Sequence, residues 1–224
     1  MIKDIHTLAV VASLPVMASA IHEPAHAQKH KDPSFAAEML MTAAPVAMGD
    51  LRRFLVNPHG EVDGLQLSDG TIAKFPPHMG GDVTAAVKPG DAISVRGYRE
   101  SGDTIKAFII TNDTSKQQVV ERPPAPDVAK MPKHLRFASL SRIAIAGKVE
   151  RPMRGKKGEV NGVLLEDGTV VRFPPHVAFD FAAQLQPGQM LAANGLGSEN
   201  SFGRALEATA LGPTPDTVTP IYGQ

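Results

Sequence analysis

The chain has 224 residues, with 23 basic and 23 acidic side chains, no cysteine and no tryptophan. That length suits two domains of roughly 90 to 100 residues, each able to bury a core without metals or disulfides. The balanced charge gives no global field toward nucleic acid or an anionic membrane surface, and the lack of cysteine excludes a disulfide scaffold, a thiol nucleophile and thiolate metal sites.

Residues 1–27 have the layout of a secretory signal peptide: Lys3 in a short leading region, an apolar stretch from Leu8 to Met17, and small-x-small sites at Ala18-Ser19-Ala20 and Ala25-His26-Ala27. Cleavage is expected after residue 20 or 27, which makes the mature protein periplasmic or secreted. The apolar stretch is too short to span a bilayer, so an integral membrane protein is not expected. His22, His26 and His30 are spaced like one helix face, but Pro24 interrupts the helix, and the set is read as accidental. Residues 28–42 form a polar leader with a short helix opened by Asp32-Pro33-Ser34.

The first repeat is placed at residues 43–114. Val46, Met48 and Leu51 begin a strand that runs toward Val56, and Asn57-Pro58-His59-Gly60 turns the chain. A second strand spans Val62 to Leu67, and a third spans Thr71 to Phe75. The pair Asp69-Gly70 between them predicts a two-residue hairpin turn with positive φ angles. Pro76-Pro77 cannot donate to a ladder and ends the third strand. A partly helical bridge then leads to the turn at Pro89-Gly90, a fourth strand from Ala92 to Gly97 and a fifth from Thr104 to Asn112.

Residues 115–136 carry Arg122-Pro123-Pro124-Ala125-Pro126 and read as an extended linker. The second repeat, residues 137–213, follows the same order. The segment Gly60 to His78 returns 98 positions later as Gly158 to His176, with 12 of 19 residues identical, and the same offset relates Gly49 to Gly147 and Gly97 to Gly195. A unit of this length occurring twice is a duplicated domain rather than a solenoid. Residues 214–224 are proline-rich and polar and are read as a flexible tail.

Five short strands with a short helix or loop between the third and fourth predict an all-β chain of two tandem five-stranded OB-fold-like Greek-key barrels. The string Gly-Glu-Val-x-Gly, then Asp-Gly-Thr, then Phe-Pro-Pro-His and a later Pro-Gly resembles exported bacterial OB-fold proteins, a largely uncharacterised group. The resemblance covers both repeats and implies a periplasmic binding or stress-related module. It implies no catalytic residues.

The candidate ligand-binding residues are the basic positions before the second strand of each copy: Arg52, Arg53 and His59 in copy one, and Arg151, Arg154, Lys156 and Lys157 in copy two. Barrels of this class place an oligonucleotide-contacting loop there. Asp69, Gly70, Phe75 and His78, with Asp167, Gly168, Phe173 and His176, form the structural repeat motif. One histidine per copy is too few for a metal site, which needs three or four ligands, so neither metal nor cofactor is expected. No Gly-x-Ser-x-Gly or phosphate-loop motif is present, and no enzyme is expected. The expected function is an exported, non-enzymatic binding or interaction module for an envelope partner or a small anionic ligand. The alternatives are a nucleic-acid or oligosaccharide binder using the basic loops, and a metal-handling periplasmic protein.

Overall fold

A computed structural model describes residues 42–125 and 139–222. The signal layout, the helix expected after Asp32 and much of the linker lie outside the described residues. Copy one contributes β1 (Ala47–Val56), β2 (Val62–Leu67), β3 (Ile72–Lys74), a 3-10 turn (Pro77–Met79), α1 (Gly80–Ala86), β4 (Ala92–Ser101), β5 (Thr104–Asn112) and β6 (Gln118–Val120). Copy two contributes β7 (Ser141–Arg154), β8 (Val160–Leu165), β9 (Val170–Arg172), α2 (Val177–Asp180), β10 (Met190–Asn200), β11 (Gly203–Gly212) and β12 (Thr219–Pro220).

In copy one β1 pairs antiparallel with β2 and with β4, β2 with β3, and β4 with β5. The parallel pairing of β3 with β5 closes the ring. Copy two closes the same way, through β9 beside β11. Each repeat is therefore a closed five-stranded OB-fold barrel, with the short helix between the third and fourth strands. Closure hides the strand edges and turns alternate residues inward. Leu51, Leu65, Leu67, Ile72, Ile93, Val95 and Ile105 fill barrel one, with Met79 and Val83 from the bridge plugging its end.

The hairpin between β2 and β3 differs from the expected two-residue turn. Gly70 N–H donates to the Leu67 carbonyl and Leu67 N–H to the Thr71 carbonyl, which encloses three loop residues. Gly70 has φ +88° and Gly168 φ +90°, while neither aspartate is among the positive-φ residues. This is a type I turn followed by a left-handed glycine, which needs one positive φ rather than two. The aspartate caps the turn instead: Asp69 accepts from Thr71 N–H at 2.8 Å and from its hydroxyl at 3.0 Å, and Asp167 does the same for Thr169.

Two pieces of strand lie where the sequence indicated linker and tail. Gln118–Val120 pairs with β5 and buries Val119. Thr219–Pro220 pairs with β11, and Ile221 packs on the core of barrel two. Such short strands give no periodicity, and a proline is tolerated at a sheet edge where its missing N–H faces no partner.

The two barrels belong to one compact unit. Met153, Leu164, Val170 and Ala205 of copy two join the buried cluster of barrel one. The ring of Phe202, at the tip of the β10–β11 hairpin, meets Phe54 edge to face at 5.5 Å. Among the described residues no helix is long and apolar enough to cross a membrane.

Candidate binding site between the barrels

Two of the basic residues assigned from sequence to the loop before the second strand lie inside β1, and two inside β7. A bulge after Leu51 and another after Val149 let these strands run on to Val56 and Arg154, so Arg52, Arg53, Arg151 and Arg154 are strand residues. Only His59, Lys156 and Lys157 sit in the loops.

Most of the arginines tie the barrels together. Arg53 Nη1 donates to the Glu166 carbonyl at 3.1 Å, in the β8–β9 hairpin. Arg151 Nη1 donates to the Gly70 carbonyl at 2.5 Å, in the β2–β3 hairpin, and its Nη2 meets Asp103 Oδ2 at 3.2 Å. Arg52 Nη1 donates to Glu150 Oε1 at 2.9 Å, and the buried Gln66 amide donates to the same oxygen at 2.5 Å. The loop after β1 is also occupied, because Asn200 Nδ2 donates to the Gly60 carbonyl at 2.8 Å. The loops that bind ligands in an isolated OB barrel thus face the neighbouring barrel.

A second polar set lies along the ends of β3 and β9. Lys74 Nζ donates to the Arg154 carbonyl at 2.8 Å. Burial pushes the Asp63 carboxyl up to about 6 against the pull of Arg172 and Lys74. Burial, then Arg172, holds the Lys74 ammonium below its usual range. Burial raises Asp167 too, but hydrogen bonds from Thr169 and Arg204 outweigh it and leave that carboxyl lower than usual.

Beside these ties a cleft of about 390 Å³ opens between the barrels. Ser101, Gly102, Asp103 and Thr104 form one wall, and Glu150, Arg151, Pro152 and Arg154 the other. Its carboxylates are spent: Asp103 pairs with Arg151, and Glu150 with Arg52. Arg154 is exposed and donates to the Gly158 carbonyl at 2.8 Å, a neutral partner, and the loop it opens also holds the Glu159 carboxylate, which accepts from Lys157 N–H at 3.0 Å. Exposed Lys156 and Lys157 continue the same loop. The lining contains no histidine or cysteine.

The motif histidines diverge. His78 Nε2 lies 2.7 Å from the Arg122 carbonyl, where the chain leaving β6 crosses the bridge and Arg122 also pairs with Asp82. His176 precedes α2 as its N-cap and makes no side-chain cap bond. Among the described residues no group of three or more His, Cys, Asp or Glu is placed to hold a metal.

No protein-family model and no curated protein matches this chain. Among solved structures it is similar to the wild-type single-stranded DNA binding protein from Thermus aquaticus, at 16% identity and a TM-score of 0.24, over 79% of this chain and 94% of that one. A deletion mutant of the same Thermus protein matches at 16% identity and 0.24, over 75% and 91%.

Proposed function

We propose that the protein is an exported, non-catalytic binding module whose small anionic ligand sits in the cleft between the barrels. The observation that carries this reading is the pairing within the cleft: its two carboxylates are tied to Arg151 and Arg52, while Arg154 of the lining is held by a neutral carbonyl. A carboxylate or phosphate group there would gain charge-assisted hydrogen bonds from a guanidinium already held in place. The hydroxyls of Ser101 and Thr104 stand on the opposite wall as neutral partners, with no imidazole in the lining to activate them. The layout of residues 1–27 supports export, which cell fractionation with N-terminal sequencing of the mature protein would test.

Calorimetric titration of the mature protein with inorganic phosphate and with citrate tests the ligand class. Saturable binding is expected, weakened about tenfold or more by Arg154→Ala and largely retained by Arg154→Lys, in line with the worth of a hydrogen bond to a charged group. Absence of binding at millimolar anion, or equal binding by Arg154→Ala, would remove the cleft from consideration.

A further inference from the structure

The two copies serve as each other's control, because a side chain that the barrel itself needs should recur and one that serves another purpose need not. Strand β4 pairs Gly97 with Ala107, and β10 pairs Gly195 with Ala208, which fixes the equivalence of the two outer faces. Barrel one carries Arg96 and Tyr98 on β4, with Lys106 and Phe108 beside them on β5. Barrel two has Asn194, Leu196, Glu207 and Thr209 at these places and closes all the same.

The four residues of barrel one form a built surface. The Tyr98 and Phe108 rings lie 5.6 Å apart at 51°, and the Lys106 ammonium sits 5.5 Å from the Phe108 centroid. Tyr98 is 48% exposed, in a chain with only two tyrosines and no tryptophan. Arg96 Nε donates to the Ala43 carbonyl at 2.7 Å, and neighbouring Arg99 donates to the Val46 carbonyl at 3.2 Å. Carbonyl partners fix both guanidiniums without neutralising them. Lys106 is also paired, with Glu121 at 2.7 Å, and Arg99, opposite Ile105, lies on the other side of the strand from Tyr98, so Arg96 supplies the net charge of the face.

We propose that this outer β4–β5 face binds single-stranded nucleic acid with little sequence preference. A base needs a ring face to stack on, a phosphate needs a fixed cation, and the face offers both on an open strand pair. An acidic peptide would use the cations and leave the rings idle. The low aromatic content of the whole chain gives no hint of the face, because what matters is that Tyr98 and Phe108 meet on one side of two paired strands. The face does not use the anion cleft, although Ser101 to Thr104 of the cleft wall are the tip of the same β4–β5 hairpin, and Arg154→Ala, which should weaken anion binding, should leave oligonucleotide binding unchanged.

The test is fluorescence polarisation of the full chain with a labelled oligothymidylate of about 20 nucleotides, at salt from roughly 50 to 200 mM. Binding that weakens steeply with salt is expected. Tyr98→Ala should weaken it about tenfold, the value of one stacking contact, while Tyr98→Phe keeps the ring and the affinity. Arg96→Ala should make the salt dependence shallower by about one phosphate contact. Leu196→Ala, at the equivalent place on barrel two, should leave binding unchanged, and a thermal melt of each variant separates lost binding from lost fold. The proposal is overturned if the wild-type chain does not bind at low salt, if folded Tyr98→Ala binds like wild type, or if poly-L-glutamate binds in place of the oligonucleotide.

Discussion

Arg52 and Glu150 occupy the same position in the two copies, and they form an ion pair with each other at 2.9 Å. Equivalent residues can touch only where an approximate two-fold relation brings the copies face to face, and the reciprocal reach of Arg53 and Arg151 into the opposite hairpins has the same origin. Two identical copies would set like charges against each other there. Arg52→Glu should therefore cost about 1 to 3 kcal/mol, since it removes one pair and places two carboxylates beside the buried Gln66. The swap Arg52→Glu with Glu150→Arg should recover most of that loss. Urea melts of the three proteins check this, and a swap no more stable than the single variant would contradict the two-fold pairing.

The two hairpin glycines should respond unequally to substitution. Both are left-handed, but a Cβ at Gly168 would lie 2.7 Å from Arg53 Nη1, whereas one at Gly70 would lie 3.5 Å from Arg151 Nη1. Gly70→Ala should cost about 1 kcal/mol for the backbone alone. Gly168→Ala should cost roughly 1 kcal/mol more, because Arg53 must yield its bond to the hairpin. Equal losses in thermal denaturation would show that Arg53 shifts freely.

Asp63 gives the fold a pH dependence. Its carboxyl ionises near 3.8 when exposed and near 6 in the folded protein, so between these values the folded state holds the extra proton. The associated stability is fully present below pH 4 and is lost as pH rises through about 6. Copy two carries Asn161 at this position. Asp63→Asn should thus raise stability at pH 7 to 8 by about 1 to 3 kcal/mol, with little gain at pH 4. Melts of both proteins across that range decide it, and a constant difference at every pH would assign the effect to something other than the proton.

His78 and His176 should no longer be treated as a matched pair. His78→Ala should lower stability by about 0.5 to 1.5 kcal/mol through the lost contact with the Arg122 carbonyl, and His176→Ala should be near neutral. Chemical denaturation of the two variants checks the asymmetry, and equal losses would mean that His176 has a partner of its own.

The barrels were legible in the sequence because local chemistry writes them. Pro76-Pro77 stops β3, Asp69-Gly70-Thr71 makes the hairpin, and alternation places Ile105 inside the barrel, so β2 and β5 fall where expected. What sequence could not show is the face between the copies. Arg52, Arg53 and Arg151 sit where the first strand of each copy was expected to run, but their role as ties was hidden, because their partners Glu150, Glu166 and Gly70 lie about a domain length away in the chain. Tyr98 and Phe108 were equally hidden, since only strand pairing makes them neighbours.

The Asn200 bond to Gly60 has a consequence for any molecule seeking that loop from outside. The hairpin that fills it is joined to it by the same chain, so it competes as a tethered occupant at an effective concentration in the millimolar range. A free ligand must bind more tightly than that before it can displace the hairpin. The loop after β1 is thereby reserved for the hairpin, while the equivalent loop of copy two, with Lys156 and Lys157, stays exposed.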